Sequence, residues 1–277
     1  MILDNTPYGL VMKVLSDEAD KVLFFRNKEL RKAAKDFSRC TVDGLSIHWT
    51  YYTVPSSRNK YLVWFIYENN GSLDNSAVRS GQLLVVTSSN GDRTFYKRRK
   101  NIPQKDNGIG EQHFSLCVYT SHFFRRYRER MGFSHKETTE NIIIRFFYQN
   151  NWHGYELPME KMNLHASEYQ NGISYELSQG VAFLTRTTEE LTGVVPAFEC
   201  LKYNTFVPYD TLKDGQREVT AKHSVVPVVQ ETLRKRMFIA SHGIMPFKTA
   251  DKKELPADGN YPTLDEVMRV NMLNGNY

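Results

Sequence analysis

The stretch Tyr119 to Phe147 (YTSHFFRRYRERMGFSHKETTENIIIRFF) carries the residues best suited to chemistry. His122, Arg126 and Arg130 recur at i, i+4 and i+8, so at ~100° per residue they follow one another along one exposed edge of a helix. Phe123, Phe124, Tyr127 and Met131 share a single arc, which predicts a buried face. Arg125 and Glu129 lie on the other side of His122, and Arg128 borders the apolar face. Such a column suits a phosphate. Arginine presents a planar fork that pairs bidentately with phosphate oxygens and keeps its charge at any relevant pH. The helix N-terminus beside His122 adds partial positive charge and free N–H donors. A neutral imidazole can take the proton of an RNA 2′-hydroxyl while guanidiniums stabilise the developing phosphorane charge, and that reaction needs no metal. His122, Arg126 and Arg130 are therefore the candidate catalytic residues, with Arg125 and Arg128 as nucleic-acid contacts. The competing reading is the wet side of an amphipathic helix, with Glu129 paired to Arg125.

The elements around the column are legible from local signals. Ser121 is the expected N-cap of the basic helix and Gly132 the left-handed residue that ends it. Ser134 with Glu137 three residues on reads as a capping box opening a second helix. Ile142, Ile143, Ile144, Phe146 and Phe147 make that helix apolar nearly all round, which predicts burial against a sheet. A buried helix cannot read base edges, so the pair is a poor helix-turn-helix.

The pattern Thr120-x-His122-x-x-x-Arg126-x-x-x-Arg130-x-Gly132-Phe133-Ser134, followed by a helix, resembles a signature of small ribonuclease toxins related to BrnT and RelE. The resemblance covers about residues 119 to 150 and extends loosely to 207. It implies one or two helices on a strongly twisted antiparallel sheet and, in many relatives, RNA cleavage without a metal. The last strand of that sheet would carry Tyr203, Asn204, Thr205 and Phe206. Arg186, Lys202, Tyr203 and Thr205 then join the expected nucleic-acid contacts on a basic sheet face. Members of that family are much shorter than this chain, and Trp152 to Gln170 would be an insertion. The expected activity is that of an RNA-directed, metal-independent, toxin-like endoribonuclease. The expected partners are RNA or another nucleic acid and a neutralising protein. The alternatives are a non-catalytic nucleic-acid binder, or an interaction or structural protein whose basic helix is only a solvated face.

The rest of the chain supplies a scaffold. Ser16 is positioned to cap a helix running to about Ser38, with Ala19, Val22, Leu23, Leu30, Ala33, Ala34 and Phe37 as its buried stripe. Leu45–Val54, Tyr61–Tyr67, Gln82–Thr87 and Arg93–Lys97 read as strands, and Asn90-Gly91 predicts a type I′ hairpin. The last of these runs into Lys97-Arg98-Arg99-Lys100, which adds Arg98 and Arg99 to the nucleic-acid contacts. Residues 101–113 read as a flap or linker and the place for a sub-boundary, between a helix with hairpins in 1–100 and the helix pair, sheet and C-terminal helices in 114–277. A single α+β domain over 1–277 is the expected organisation. Phe114–Thr120, Ile173–Leu177, Val181–Thr185 and Val194–Val207 continue the strands, with Pro196 suggesting an edge or bend. Asn150 to Gln170 reads as irregular or weakly helical. Two more helices are predicted over Pro227–Ser241 and Leu264–Met272. The fold class is thus α+β, with helices packed on a twisted, mainly antiparallel sheet and additional N- and C-terminal helices.

Bulk properties narrow the classes further. The 277 residues carry a net charge of +5, with 40% hydrophobic and 24% charged residues, which excludes a disordered chain. The three cysteines, Cys40, Cys117 and Cys200, are far apart and form no CxxC pair, so a disulfide framework or structural zinc site is not expected. The eight histidines are scattered, and no Walker A, GxGxxG, HExxH or GxSxG motif occurs. No apolar run reaches the ~20 residues of a membrane span. The chain is expected to be cytoplasmic, without cofactor, metal or membrane association.

Overall fold

The computed structural model describes residues 1–37, 45–68, 78–101, 104–105, 108–109, 113–150, 156–157, 162, 172–191 and 195–221. The predicted helices at 227–241 and 264–272, and most of the expected insertion at 152–170, lie outside them. Nine strands form one mixed sheet: β1 (Leu45–Thr53), β2 (Lys60–Glu68), β3 (Val78–Thr87), β4 (Arg93–Asn101), β7 (His113–Thr120), β8 (Glu156–Leu157), β9 (Gly172–Leu177), β10 (Gly180–Leu191) and β11 (Val195–Pro208). Their spatial order is β1-β2-β3-β4-β7-β11-β10-β9-β8. A separate two-residue pair, β5 (Gln104–Lys105) with β6 (Gly108–Ile109), sits in the connection between β4 and β7. All neighbours in the large sheet are antiparallel except β7 and β11, which run parallel. The chain is α+β, and its sheet is mainly antiparallel.

The sheet is covered on both sides, and the strand period of two assigns each residue its side. In β2 every residue from Tyr61 to Tyr67 is buried. Leu62, Trp64 and Ile66 join Phe95, Tyr119, Leu201 and Tyr203 under the helices α3 (Ser121–Arg130) and α4 (Thr139–Gln149). Tyr61, Val63, Phe65 and Tyr67 point the other way, under α1 (Tyr8–Asp17) and α2 (Ala19–Phe37). A strand apolar at every position is what two covered faces require. Cys117 and Cys200 are both buried, one on each face.

The N-terminal helix departs from expectation. A further helix, α1, precedes the predicted one, and Ser16 lies inside it. Its hydroxyl donates back to the Met12 carbonyl at 3.0 Å, a mid-helix bond that takes it out of the capping role. In α2 Val22, Ala33 and Phe37 are buried as predicted, whereas Leu23 and Leu30 are exposed. The Asn90-Gly91 turn is also different. Only Gly91 has positive φ, at 87°, and its N–H bonds the Ser88 carbonyl; a type I′ turn would need both central residues there.

Residues 101–113 connect two paired strands, since β4 and β7 run antiparallel from Thr94↔Thr120 to Asn101↔His113. Pro196 stands in the part of β11 that has no β7 partner, an edge-like position as expected. Its strand pairs with β7 only from Glu199 onward, and the β10 register slips between Glu189 and Leu191, so the proline falls at an irregularity.

Candidate functional site

The basic helix begins where the central strand β7 ends. Its cap is Thr120, whose side chain accepts the Phe123 N–H at 3.2 Å. Ser121 is the first helical residue and does something else. Its hydroxyl donates to the Arg93 carbonyl at 2.9 Å and accepts the Arg93 N–H at 3.0 Å. The side chain thereby continues the β4–β7 ladder by one rung and fixes the helix N-terminus beside the start of β4. At the other end Gly132 adopts φ 66°, as its position after the helix predicts.

The second helix is capped by Thr138, which accepts from Asn141 N–H, so it starts four residues later than the capping-box reading placed it. Ser134 instead closes a turn through Lys136 and Glu137, and Glu137 pairs with Arg145. The expected burial of α4 holds: Ile142, Ile143, Ile144 and Phe146 are all interior. Its first turn docks on the edge strand β1, with Trp49 donating to Asn141 at 3.0 Å and Tyr51 to Glu140 at 2.8 Å.

Between these parts lies a cavity of about 630 Å³, lined by the turn before β4, the N-terminus of α3 and the start of α4. His122, Arg125 and Arg128 face it together with Arg93, Asp92 and the hydroxyl residues Thr94, Thr120, Ser121 and Thr139. Three guanidiniums stand there against one carboxylate. Arg93 is held by Glu140 at 2.6 Å and by Tyr51 at 3.0 Å. Burial pushes the Glu140 carboxyl up, but the Arg93 and Tyr51 bonds outweigh it and leave the group below its usual range. Burial, then the same carboxylate, pushes Tyr51 up to about 12. Asp92 lies in the turn, where Asn90 donates to it at 3.1 Å. Arg128 reaches the Glu137 carbonyl through Nη2 at 2.8 Å, and its buried Nε finds no acceptor. Arg125 is exposed and directs Nη2 at His122 Nδ1, 2.9 Å away.

The three residues of the predicted column have different partners. His122, Arg126 and Arg130 are all exposed, as the spacing requires. Arg126, however, pairs with Glu129 at 3.1 Å, where Arg125 was the expected partner of that carboxylate. Arg130 is laid on β11, donating to Thr205 Oγ1 at 3.0 Å and to the Phe206 carbonyl. Neither lines the cavity.

The expected basic sheet face is divided in the same way. Arg186 is engaged by Glu156 at 2.6 Å, Glu199 at 3.5 Å and the Tyr175 hydroxyl at 3.0 Å. Lys202 is exposed, but Tyr203 beside it is 3% exposed and stacks on Tyr119 with ring centroids 4.2 Å apart. Tyr203 is therefore a core residue and cannot be a nucleic-acid contact. Arg98 and Arg99, neighbours in β4, point to opposite faces: Arg98 lies 3.6 Å from the Phe114 ring centroid on the α1–α2 side, and Arg99 is on the α3–α4 side.

Arg93, Thr94 and Thr139 were missed as site residues. Nothing in the linear sequence says that β4 pairs with β7, and that pairing is what brings Arg93 to Ser121. Among the described residues no three His, Cys, Asp or Glu side chains gather as metal ligands would, and no helix is long and apolar enough to cross a membrane. No protein-family model, curated protein or solved structure matches the chain.

Proposed function

We propose that the chain binds nucleic acid, RNA first, through a backbone phosphate seated in the cavity formed by His122, Arg125 and Arg128. One observation carries this reading. These three side chains open on one cavity at the N-terminal end of α3. A phosphate would supply acceptors for Arg128 and Arg125, and the helix end favours negative charge. The volume suits one nucleotide unit, falling within the roughly 300–1,000 Å³ of ordinary ligand sites. The choice of RNA follows the sequence resemblance of residues 119 to 150; the phosphate follows the geometry.

The test is anisotropy of labelled single-stranded RNA over a salt series. Affinity should fall with salt, and Arg125→Gln with Arg128→Gln should flatten the slope by roughly 0.7 per lost contact. A flat response in the wild type overturns the reading.

Metal-independent cleavage is the second reading, supported by the exposure of His122 at the same helix end. Attack of a 2′-hydroxyl on phosphorus would expel the 5′-oxygen; water takes the 2′ proton and protonates the leaving oxygen, while the imidazole N–H and the guanidiniums stabilise the phosphorane oxygens. Incubation of RNA in EDTA decides it. No cleavage, or none lost in His122→Ala, leaves the binding function alone.

A further inference from the structure

A second cluster of polar side chains lies on the α3–α4 face of the sheet, away from the cavity. The register sets it out. Lys97 of β4 stands opposite Cys117 of β7, which stands opposite Leu201 of β11. One step along, Arg99 stands opposite Ser115, and Ser115 opposite Glu199. One step the other way come Phe95, Tyr119 and Tyr203. Alternation places Lys97, Arg99, Cys117, Tyr119 and Tyr203 on the same side. Phe147 of α4 reaches down to it, its ring centroid 4.7 Å from the Lys97 ammonium.

The charge there is unbalanced. Among the described residues three of the six other half-buried arginines are matched: Arg93 by Glu140, Arg145 by Glu137, Arg186 by Glu156 and Glu199. Lys97 and Arg99 are also half-buried, yet among the described residues neither has a carboxylate within ion-pair distance. Glu199, the acid nearest in register, is engaged by Arg186 at 3.5 Å and by Ser115 at 3.4 Å. Two cations on one strand face two residues apart sit about 7 Å from one another and repel. Burial lowers the Lys97 amine, and Arg99 lowers it further. Two uncompensated cations thus share one strand face.

We infer that Lys97 and Arg99 form a binding site for a small oxyanion, a phosphate or a carboxylate. The anion supplies the missing counter-charge, the arginine gives a planar fork and the lysine a point charge. The site is distinct from the His122 cavity, shares no residue with it and stands or falls separately from the proposed RNA binding.

The experiment uses the full chain and site-resolved labelling. Lys97 is acylated with acetic anhydride, and its modification is followed by peptide mass spectrometry in sodium chloride, inorganic phosphate or citrate at matched ionic strength. At ten times the Kd an occupied site slows labelling about tenfold by mass action. Protection by phosphate alone identifies a phosphate site, and protection by citrate alone a carboxylate site. Protection should weaken in Arg99→Gln, which leaves the labelled lysine in place. Equal labelling of Lys97 in all three salts overturns the inference in the unaltered protein, whether or not the variant folds. Protection that is undiminished in a folded Arg99→Gln overturns the role of Arg99.

Discussion

Arg125 Nη2 lies 2.9 Å from His122 Nδ1, and this contact decides what the imidazole can do. A guanidinium can only donate, so Nδ1 accepts and a neutral ring carries its proton on Nε2. The ring therefore offers an N–H to the cavity and not a free lone pair. The general-base role suggested by the spacing of His122, Arg126 and Arg130 would require the imidazole to leave Arg125. Donation to a phosphate oxygen requires no such change.

A substitution that preserves a donor near Nε2 should thus be tolerated better than one that removes it. His122→Gln should keep RNA affinity close to that of the wild type, whereas His122→Ala should weaken it roughly tenfold, the effect of losing one hydrogen bond to a charged group. Anisotropy of the two variants provides the comparison. Equal losses in both would show that the imidazole is not acting through its N–H.

Arg130 should behave as a structural residue. It ties α3 to the end of β11 through Thr205 and the Phe206 carbonyl. Arg130→Ala should lower unfolding stability by about 1 kcal/mol, since a partly exposed hydrogen-bonding group is lost, while RNA affinity stays within about twofold at fixed salt. Chemical denaturation and anisotropy measure the two. A variant of unchanged stability but much weaker binding would restore the three-residue column.

The parts of this arrangement that were readable from sequence are those set by local periodicity. Phe123, Phe124 and Tyr127 form the buried face of α3, and the strand YLVWFIY is buried throughout. Gly132 ends the helix because a left-handed residue is needed there. What was hidden depends on partners distant in the chain. Thr120 caps the helix because Ser121 is occupied by the Arg93 backbone, 28 residues away. Lys97-Arg98-Arg99-Lys100 looks like one basic patch in linear order, but a strand sends adjacent side chains to opposite faces. Tyr203 looked like an exposed contact, yet the parallel pairing of β11 with β7 stacks it on Tyr119 in the core. The arginines of α3 are equivalent by type, and only the fold reveals that Arg126 and Arg130 already have partners.

Gly81 provides a test of how α4 is anchored. It pairs with Trp64 across β2 and β3, and a Cβ added there would lie 2.3 Å from Trp64 Cζ2. The indole fills the space above the glycine and stacks on Phe147 with centroids 5.5 Å apart. Gly81→Ala should therefore destabilise the fold by about 1–3 kcal/mol through overpacking. Combining it with Trp64→Leu should cost less than the two single changes summed, because the smaller side chain leaves room for the methyl group. Strict additivity in urea unfolding would show that the indole does not depend on that space.

Glu176 should give the fold a pH dependence of unusual sign. It is fully buried in β9, and burial pushes its carboxyl from an ordinary 4.5 up to about 8. The Tyr209 bond acts against burial and offsets it only in part. The Tyr209 hydroxyl has one proton and two acceptors in reach, the Leu177 carbonyl at 2.6 Å and Glu176 Oε1 at 2.9 Å. A protonated Glu176 can donate to Tyr209 while Tyr209 donates to Leu177; an ionised one makes the two acceptors compete. Between the unfolded and folded pKa values the folded state holds the extra proton, so stability falls as pH rises through that window and levels off above it. The loss should amount to roughly a few kcal/mol between pH 5 and pH 9. Glu176→Gln keeps the shape and the donor to Tyr209 without a titrating group. Its stability should vary less over the same range and exceed that of the wild type at the alkaline end. Urea unfolding at several pH values checks both statements, and a wild-type curve that rises across the window would contradict them.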